Sequence, residues 1–169
     1  MHALTEAQIR ACFVNSTRRE RNSLTLPIGF DAIDWEKLLF LGWRDPKLPL
    51  VGYLVTPVDD EPVGVILRLG SSQPRTRPQC SLCEDVQLPN EVAFYSAKRG
   101  GAAGRKGDTL GALICSEFQC NSNVRAKPSK IFAGADPEGV RQQRIEGLGR
   151  RVERFARRVA GSPNAAGSV

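Results

Sequence analysis

The residues with the most definite chemistry in this sequence are four of its five cysteines, which occur as two close pairs. Two residues separate the members of the first pair and four separate those of the second; the four are Cys80, Cys83, Cys115 and Cys120. Two close thiol pairs on separate segments are typical of a tetrahedral Zn²⁺ site. Four thiolates would leave no open coordination position, so the spacing predicts one structural zinc and no catalytic metal.

Other uses of paired cysteines fit the sequence less well. A redox-active Cys-x-x-Cys is expected inside a thioredoxin-like βαβ pattern, which does not surround Cys80. No ferredoxin-type spacing is present, which disfavours an iron–sulfur cluster. Free thiols in the core are the structural alternative.

The remaining residues do not suggest an enzyme. The only histidine is His2, close to the first residue, so the sequence lacks a histidine base and a Ser-His-Asp triad. Three adjacent acids, Asp59, Asp60 and Glu61, could suggest a divalent cation, but a hairpin turn explains them. The prediction is a binding protein without a small-molecule substrate.

Charge is unevenly distributed along the chain, whose net charge is +6. Residues 1–97 hold 10 Lys and Arg against 12 Asp and Glu, whereas residues 98–169 hold 14 against 6. The second region would attract RNA, a ribosome or an acidic protein surface. The alternative is that these basic side chains only solvate an ordinary protein surface.

A glycine-rich basic segment, residues 98–108, lies between the two cysteine pairs. Its candidate partner-binding residues are Lys98, Arg99, Arg105 and Lys106. Glycines allow close approach to a phosphate and basic side chains contact its charge, but no P-loop motif is present. A mobile hairpin tip is the competing interpretation.

The elements needed to position these residues predict an α+β fold. A capped helix begins near Thr5, residues 24–49 are irregular, and strands follow at 51–55, 63–69, 91–97 and 109–114. The order of knuckle, hairpin and second cysteine pair at a helical turn is that of a treble-clef finger. An amphipathic helix capped by Asp136 ends the fold.

This pattern divides the chain into three expected parts. Residues 1–70 form a small N-terminal part with a helix and a β-hairpin, residues 71–160 form the zinc finger with its helix, and 161–169 form a disordered tail. No apolar segment typical of a leader or of a membrane span occurs, which favours a cytoplasmic protein with no membrane partner. Cys12 lies on the apolar face of the first helix and is expected to be a core residue.

Three segments together resemble the elongation-factor-G-binding proteins, the FusB-type fusidic-acid-resistance proteins and their small stand-alone relatives. They are the Cys80–Cys83 knuckle, the basic segment with the second cysteine pair, and the stretch Gly42-Trp43-Arg44-Asp45-Pro46. The resemblance covers roughly residues 3–160 and implies a Cys₄ zinc ion with elongation factor G as partner at the ribosome. It also implies that Lys106 makes a basic contact, and Phe132 an aromatic contact, with elongation factor G. It does not decide whether the protein confers drug resistance.

Two other functions compete with this one. A basic zinc finger that binds RNA or ribosomal RNA would place Lys98, Arg99, Arg105 and Lys106 on phosphates. A zinc domain with no partner of its own is the third possibility.

Overall fold

A computed structural model describes residues 1–71, 78–85, 90–127 and 136–161. Phe132 and nearly all of the predicted tail, from position 162 onward, lie outside these residues. The described helices are α1 (Glu6–Ala11), α2 (Arg18–Ser23), α3 (Gly101–Arg105), α4 (Cys120–Arg125) and α5 (Pro137–Ala160). The described strands are β1 (Leu41–Arg44), β2 (Val51–Val58), β3 (Glu61–Leu69), β4 (Val92–Lys98) and β5 (Thr109–Cys115). Two short 3₁₀ helices, Phe30–Ala32 and Trp35–Lys37, precede β1.

The strands form one antiparallel sheet in the order β1-β2-β3-β4-β5, so each strand pairs with its neighbour in sequence. This arrangement confirms the predicted α+β class. The sheet continues across position 70, where the sequence suggested a boundary. The division into residues 1–70 and 71–160 stays a prediction.

The acidic run between β2 and β3 is a tight turn. Asp59 and Asp60 both have positive φ, 51° and 65°, which is the conformation of a type I′ hairpin. Aspartate tolerates this backbone region better than most residues. The turn interpretation is therefore confirmed for Asp59 and Asp60, whereas Glu61 is the first residue of β3.

Strand β1 corrects the expectation that residues 24–49 are wholly irregular. Its four residues pair with β2, so that Leu41 faces Val55 and Trp43 faces Tyr53. Prolines on the C-terminal side of β1 suggested a loop, but they lie beyond the strand and leave its ladder intact. A strand this short is specified mainly by its partner, which local sequence does not show.

Helix α3 is the second correction, because the glycine-rich segment was expected to be a loop. A Cβ added at Gly104 would lie 1.7 Å from the backbone oxygen of Arg99. Glycine at this position therefore lets the short helix close against the end of β4. The segment is also fastened at Gly100, whose N–H donates to Val159 O at the end of α5, at 2.7 Å.

The sheet carries a hydrophobic core on each face, because side chains alternate along β2 and β3. On one face α5 packs through Leu148, Val152, Phe155 and Val159, in the same cluster as the four cysteines. On the other face α1 contributes Ile9, with Phe13 just beyond its end. The zinc ligands therefore belong to a core that spans both halves of the chain.

The helix ends follow their sequence signals. Thr5 and Gln8 form the capping box of α1, and Asp136 accepts hydrogen bonds from the N–H groups of Glu138 and Gly139 at the start of α5. Gly161 ends α5 with φ of 82°. Within the described part of the chain, no helix combines the length and hydrophobicity that a membrane span requires.

Candidate metal centre

The sulfur atoms of Cys80, Cys83, Cys115 and Cys120 converge, and all lie within 4.8 Å of one another. All four residues are buried. Cys80 Sγ lies 3.7 Å from Cys120 Sγ, and Cys83 Sγ lies 3.7 Å from Cys115 Sγ. These separations are far longer than the roughly 2.05 Å of a disulfide, so the pairs are not covalently joined.

The distances fit zinc. A tetrahedral ion with Zn–S bonds of about 2.3 Å places its sulfurs about 3.8 Å apart. The sequence predicted this ligand set, and the geometry brings all four members together. Four cysteines around one position allow no water or substrate ligand, which is the arrangement of a structural site.

Each ligand occupies a place that the local structure defines. Cys80 and Cys83 flank a turn that is closed by Glu84 N–H donating to Cys80 O at 2.9 Å. This turn is fixed to the finger's hairpin, because Ser81 N–H donates to Leu113 O of β5 at 2.7 Å. Cys115 ends β5 and Cys120 begins α4, as the treble-clef order requires.

Hydrogen bonds among the thiols favour thiolate formation on the first pair. Donation from Cys115 and then Cys120 lowers the pKa of Cys80, and the same two donors lower the pKa of Cys83 to about 7. Hydrogen bonds to Cys115 and Cys80 raise the pKa of Cys120. Binding of a dication would convert the remaining thiols to thiolates and release their protons.

Asn123 is a residue of the site that the sequence analysis missed. Its Nδ2 lies 3.4 Å from Cys115 Sγ and 3.5 Å from Cys83 Sγ, and its side chain is almost fully buried. Its Oδ1 accepts from Asn90 Nδ2 at 2.6 Å, which orients the amide so that the NH₂ group faces the sulfurs. The position, three residues after Cys120 in the first turn of α4, was the only available signal. Such residues hold metal ligands in place and stabilise their charge.

Two arginines of α5 fasten the ligand-bearing segments to one another. Arg144 donates to Asn123 O at 2.8 Å on the α4 side and to Asp85 Oδ2 at 3.0 Å on the knuckle side. Arg151 Nε donates to Leu82 O, between the first two ligands, at 2.6 Å. Helix α5 therefore holds both halves of the site with its polar face as well as covering it with its apolar face.

The loop between the second pair joins the zinc site to β1 and β2. Phe118 is buried with φ of 57°, and it packs over two glycines of the sheet. An added Cβ would lie 2.7 Å from Phe118 Cβ at Gly42 and 2.8 Å from Phe118 Cζ at Gly52. Beside this contact, Arg44 Nη1 donates to Glu117 Oε1 at 2.7 Å.

The remainder of the Gly42–Pro46 stretch is also structural. Trp43 Nε1 donates to Thr25 O at 2.9 Å, and the buried Asp45 accepts from Tyr53 OH at 2.8 Å. Asp45 Oδ1 also accepts from Lys47 N–H and so closes the turn after β1. This stretch, which contributes to the family resemblance, thus carries the contact between the N-terminal part and the second ligand pair.

The four buried cysteines lie on a knuckle, a strand end and a helix start. This arrangement defines a treble-clef zinc finger with one zinc site. The model of the FBP C-terminal treble-clef zinc-finger family matches residues 8–159, and the chain belongs to this family. The predicted zinc cofactor and the predicted family are thereby confirmed.

A solved structure supports the fold independently. The chain is similar to the fusidic acid resistance protein FusC, with a TM-score of 0.53 and 19% sequence identity. The similarity covers 73% of this chain and 52% of FusC, so the chain spans about half the length of that protein. No curated protein sequence matches the chain.

The candidate partner-binding residues lie in one region. Lys98 ends β4, Arg99 follows it and is half-buried, and Arg105 and Lys106 are exposed at the end of α3. Three of them line a common groove with residues of the N-terminal part, whereas Lys106 lies outside it. Their role in binding stays a prediction, and Phe132 lies outside the described residues.

Proposed function

We propose that this protein is a non-catalytic, cytoplasmic binding protein that docks on elongation factor G at the ribosome. Membership of the FBP zinc-finger family over residues 8–159 carries the proposal. The cytoplasm supplies the factor and also the reducing conditions in which four cysteines remain thiols that can hold zinc.

The zinc site supports a binding role. Four thiolates leave zinc no position at which to polarise a substrate or activate water, whereas catalytic zinc retains an open position. The ion would instead supply folding free energy, because a preformed site rarely exists in an unfolded chain. Its effect here is to hold the β4–β5 hairpin, the knuckle and α4 in one rigid arrangement.

That rigid arrangement presents the proposed contact surface. Arg99 N–H donates to Asp108 O at 2.9 Å, so the two ends of the basic segment are joined across the hairpin. Lys106 caps α3 and projects from the surface as an exposed side chain. A cation held on a rigid hairpin loses little conformational freedom on binding, which favours association with an acidic protein surface.

Tolerance of fusidic acid is a further part of the proposal. It is motivated by the similarity to FusC, a fusidic acid resistance protein. Because the chain spans about half of FusC, we propose factor binding and relief of the drug separately, and each has its own test. The second is tested by factor-dependent GTP turnover on ribosomes with fusidic acid, with and without this protein.

Biolayer interferometry tests the factor-binding proposal directly. Zinc-loaded full chain is immobilised and purified elongation factor G is titrated at low and at physiological salt. We expect saturable binding that is weakened by Lys106→Ala, mainly through the association rate, because an exposed charge chiefly steers encounter. Lys47→Ala removes an exposed lysine from the turn after β1 and serves as the matched control.

The result also separates this function from the RNA-binding alternative. Absence of any complex with the factor at low salt, while ribosomal RNA is retained, would overturn the proposal. Equal loss of binding in Lys106→Ala and Lys47→Ala would show that the basic segment is not the contact surface.

A further inference from the structure

A groove of about 580 Å³ lies where the N-terminal part meets the basic segment, on the side of α3. Val14, Asn15 and Ile66 are among its lining residues. Thr17, Glu20 and Arg68 also line it, together with the cations and glycines of residues 98–105. The groove is separate from the zinc site, and none of the four ligands lines it.

The groove has an excess of positive charge. Of the residues that the structure describes, four cations line it, namely Arg68, Lys98, Arg99 and Arg105, against the single carboxylate of Glu20. Arg68 Nη2 pairs with Glu20 Oε1 at 2.9 Å, so that carboxylate is already engaged. Among the described residues, the side chains of Lys98, Arg99 and Arg105 have no ion-pair or hydrogen-bond partner.

Arg99 shows that the groove lacks an acceptor. Its Nε is buried and makes no hydrogen bond with any residue that the structure describes. A buried polar group without a partner destabilises the fold, and more so when it is charged, so such groups are rare in folded proteins. An anion entering the groove would neutralise Arg99 and the adjacent cations Lys98 and Arg105.

The lining favours a phosphate backbone over a peptide. Protein interfaces rely on aromatic anchors and desolvated apolar pockets, whereas the apolar side chains that line this groove are those of Val14 and Ile66. A polar, strongly positive surface is typical of protein–nucleic acid contacts. With no aromatic side chain for base stacking among the described residues that line it, such a groove would contact phosphates without reading sequence.

We propose that this groove binds the phosphate backbone of RNA, with Lys98, Arg99 and Arg105 on phosphate oxygens. The inference deepens the proposed function, since it divides the basic segment between two partners at the ribosome and leaves Lys106 to the elongation factor. RNA binding is measurable without the factor, so the two can fail separately.

The test is a fluorescence anisotropy titration of zinc-loaded full chain onto a labelled RNA hairpin over a series of KCl concentrations. Each phosphate contact contributes about −0.7 to −0.9 to the slope of log K against log[KCl]. We therefore expect a slope of about −2 to −3 from three contacts. The variant Lys98→Gln/Arg105→Gln should reduce its magnitude by about 1.5.

A charge-matched variant controls for net charge. Lys47→Gln/Arg154→Gln removes the same charge from two exposed positions outside the groove, and we expect its slope to equal that of the unmodified protein. Both altered pairs are exposed side chains, and zinc content with circular dichroism verifies the fold. Leaving Arg99 unaltered avoids disturbing a half-buried residue.

Three outcomes would overturn RNA binding by the groove. They are no binding at the lowest salt, equal slope changes in the two double variants, and displacement of the RNA by polyglutamate as effectively as by unlabelled RNA. The last would assign the groove to carboxylates. Loss of factor binding alone, with the RNA slope intact, would contradict only the function proposed above.

Discussion

Asn123 should control how tightly this finger holds zinc. The variant Asn123→Ala removes two N–H···S contacts, of 3.4 and 3.5 Å, from the thiolates of Cys115 and Cys83. A hydrogen bond to a charged group contributes about 1.5–3 kcal/mol. Loss of a residue that supports metal ligands typically costs 10–100-fold in affinity, which is about 1.4–2.8 kcal/mol. The two approaches agree, so we expect zinc affinity to fall by about one to two powers of ten.

Competition with a fluorescent zinc chelator measures this affinity. Asn121→Ala is a matched control on the same helix, because Asn121 bonds Leu39 N–H and Phe40 O, each at 2.8 Å, and has no described contact with a sulfur. Cobalt substitution adds a spectroscopic readout. Asn123→Ala removes a donor to the thiolates and should shift the sulfur-to-cobalt charge-transfer band. Asn121→Ala removes no such donor, so its band should keep its position.

A fall in zinc affinity smaller than about threefold in Asn123→Ala, well under the expected tenfold minimum, would show that Asn123 does not support the zinc ligands. An unshifted cobalt band in a folded Asn123→Ala variant would show the same. If Asn121→Ala weakened zinc binding equally, the effect would belong to the stability of α4 and not to the sulfur contacts.

Gly42→Ala should lower the free energy of unfolding by about 1–3 kcal/mol, because the added Cβ would lie 2.7 Å from Phe118 Cβ. Urea denaturation checks this against Gly149→Ala in α5, which meets nothing within 4 Å and should add about 0.5–1 kcal/mol; equal effects would contradict the packing argument. Burial raises the pKa of Cys12 from 9.0 to about 12, so the folded state retains a proton that the unfolded chain loses as pH rises. Stability should therefore fall between pH 9 and 12, by up to about 1.4 kcal/mol per pH unit, and Cys12→Ala should remove that component; an unchanged profile would contradict it. A fragment of residues 71–169 should bind zinc without a dispersed amide NMR spectrum, because β4 would lose β3; a well-dispersed spectrum would show that the finger folds alone.

The zinc site was predictable because its chemistry is local. The spacing of Cys80 with Cys83 and of Cys115 with Cys120 specifies a turn and a strand-to-helix junction, each determined by neighbouring residues. Helix α5 was predictable for the same reason, since Asp136 and its apolar spacing are local signals.

Features that depend on distant contacts were not predictable. Strand β1 is a strand because β2 lies beside it, and nothing in its four residues requires one. Gly104 looked like a loop residue, although it allows a helix to pack against Arg99 O. Asn123 belongs to the metal site through its orientation by Asn90, which a sequence does not show.

Asn15 bridges the shortest strand pairing in the sheet, that of β3 with β4. Strands β3 and β4 share only two residue pairs, Arg68 with Ser96 and Leu69 with Tyr95. Where they diverge, the Asn15 amide replaces the ladder: it exchanges two hydrogen bonds with the backbone of Ile66 and donates to Lys98 O at 2.9 Å. The sheet is therefore two ribbons, β1-β2-β3 and β4-β5, joined by a narrow seam that the Asn15 side chain bridges at one end.

Torsion of the sheet should concentrate along that seam, because few hydrogen bonds resist it there. The seam runs beneath the groove, with Arg68 on one ribbon and Lys98 on the other. An anion held between them would link the two ribbons, so occupancy of the groove should restrict the twist of the zinc-bearing ribbon relative to the other.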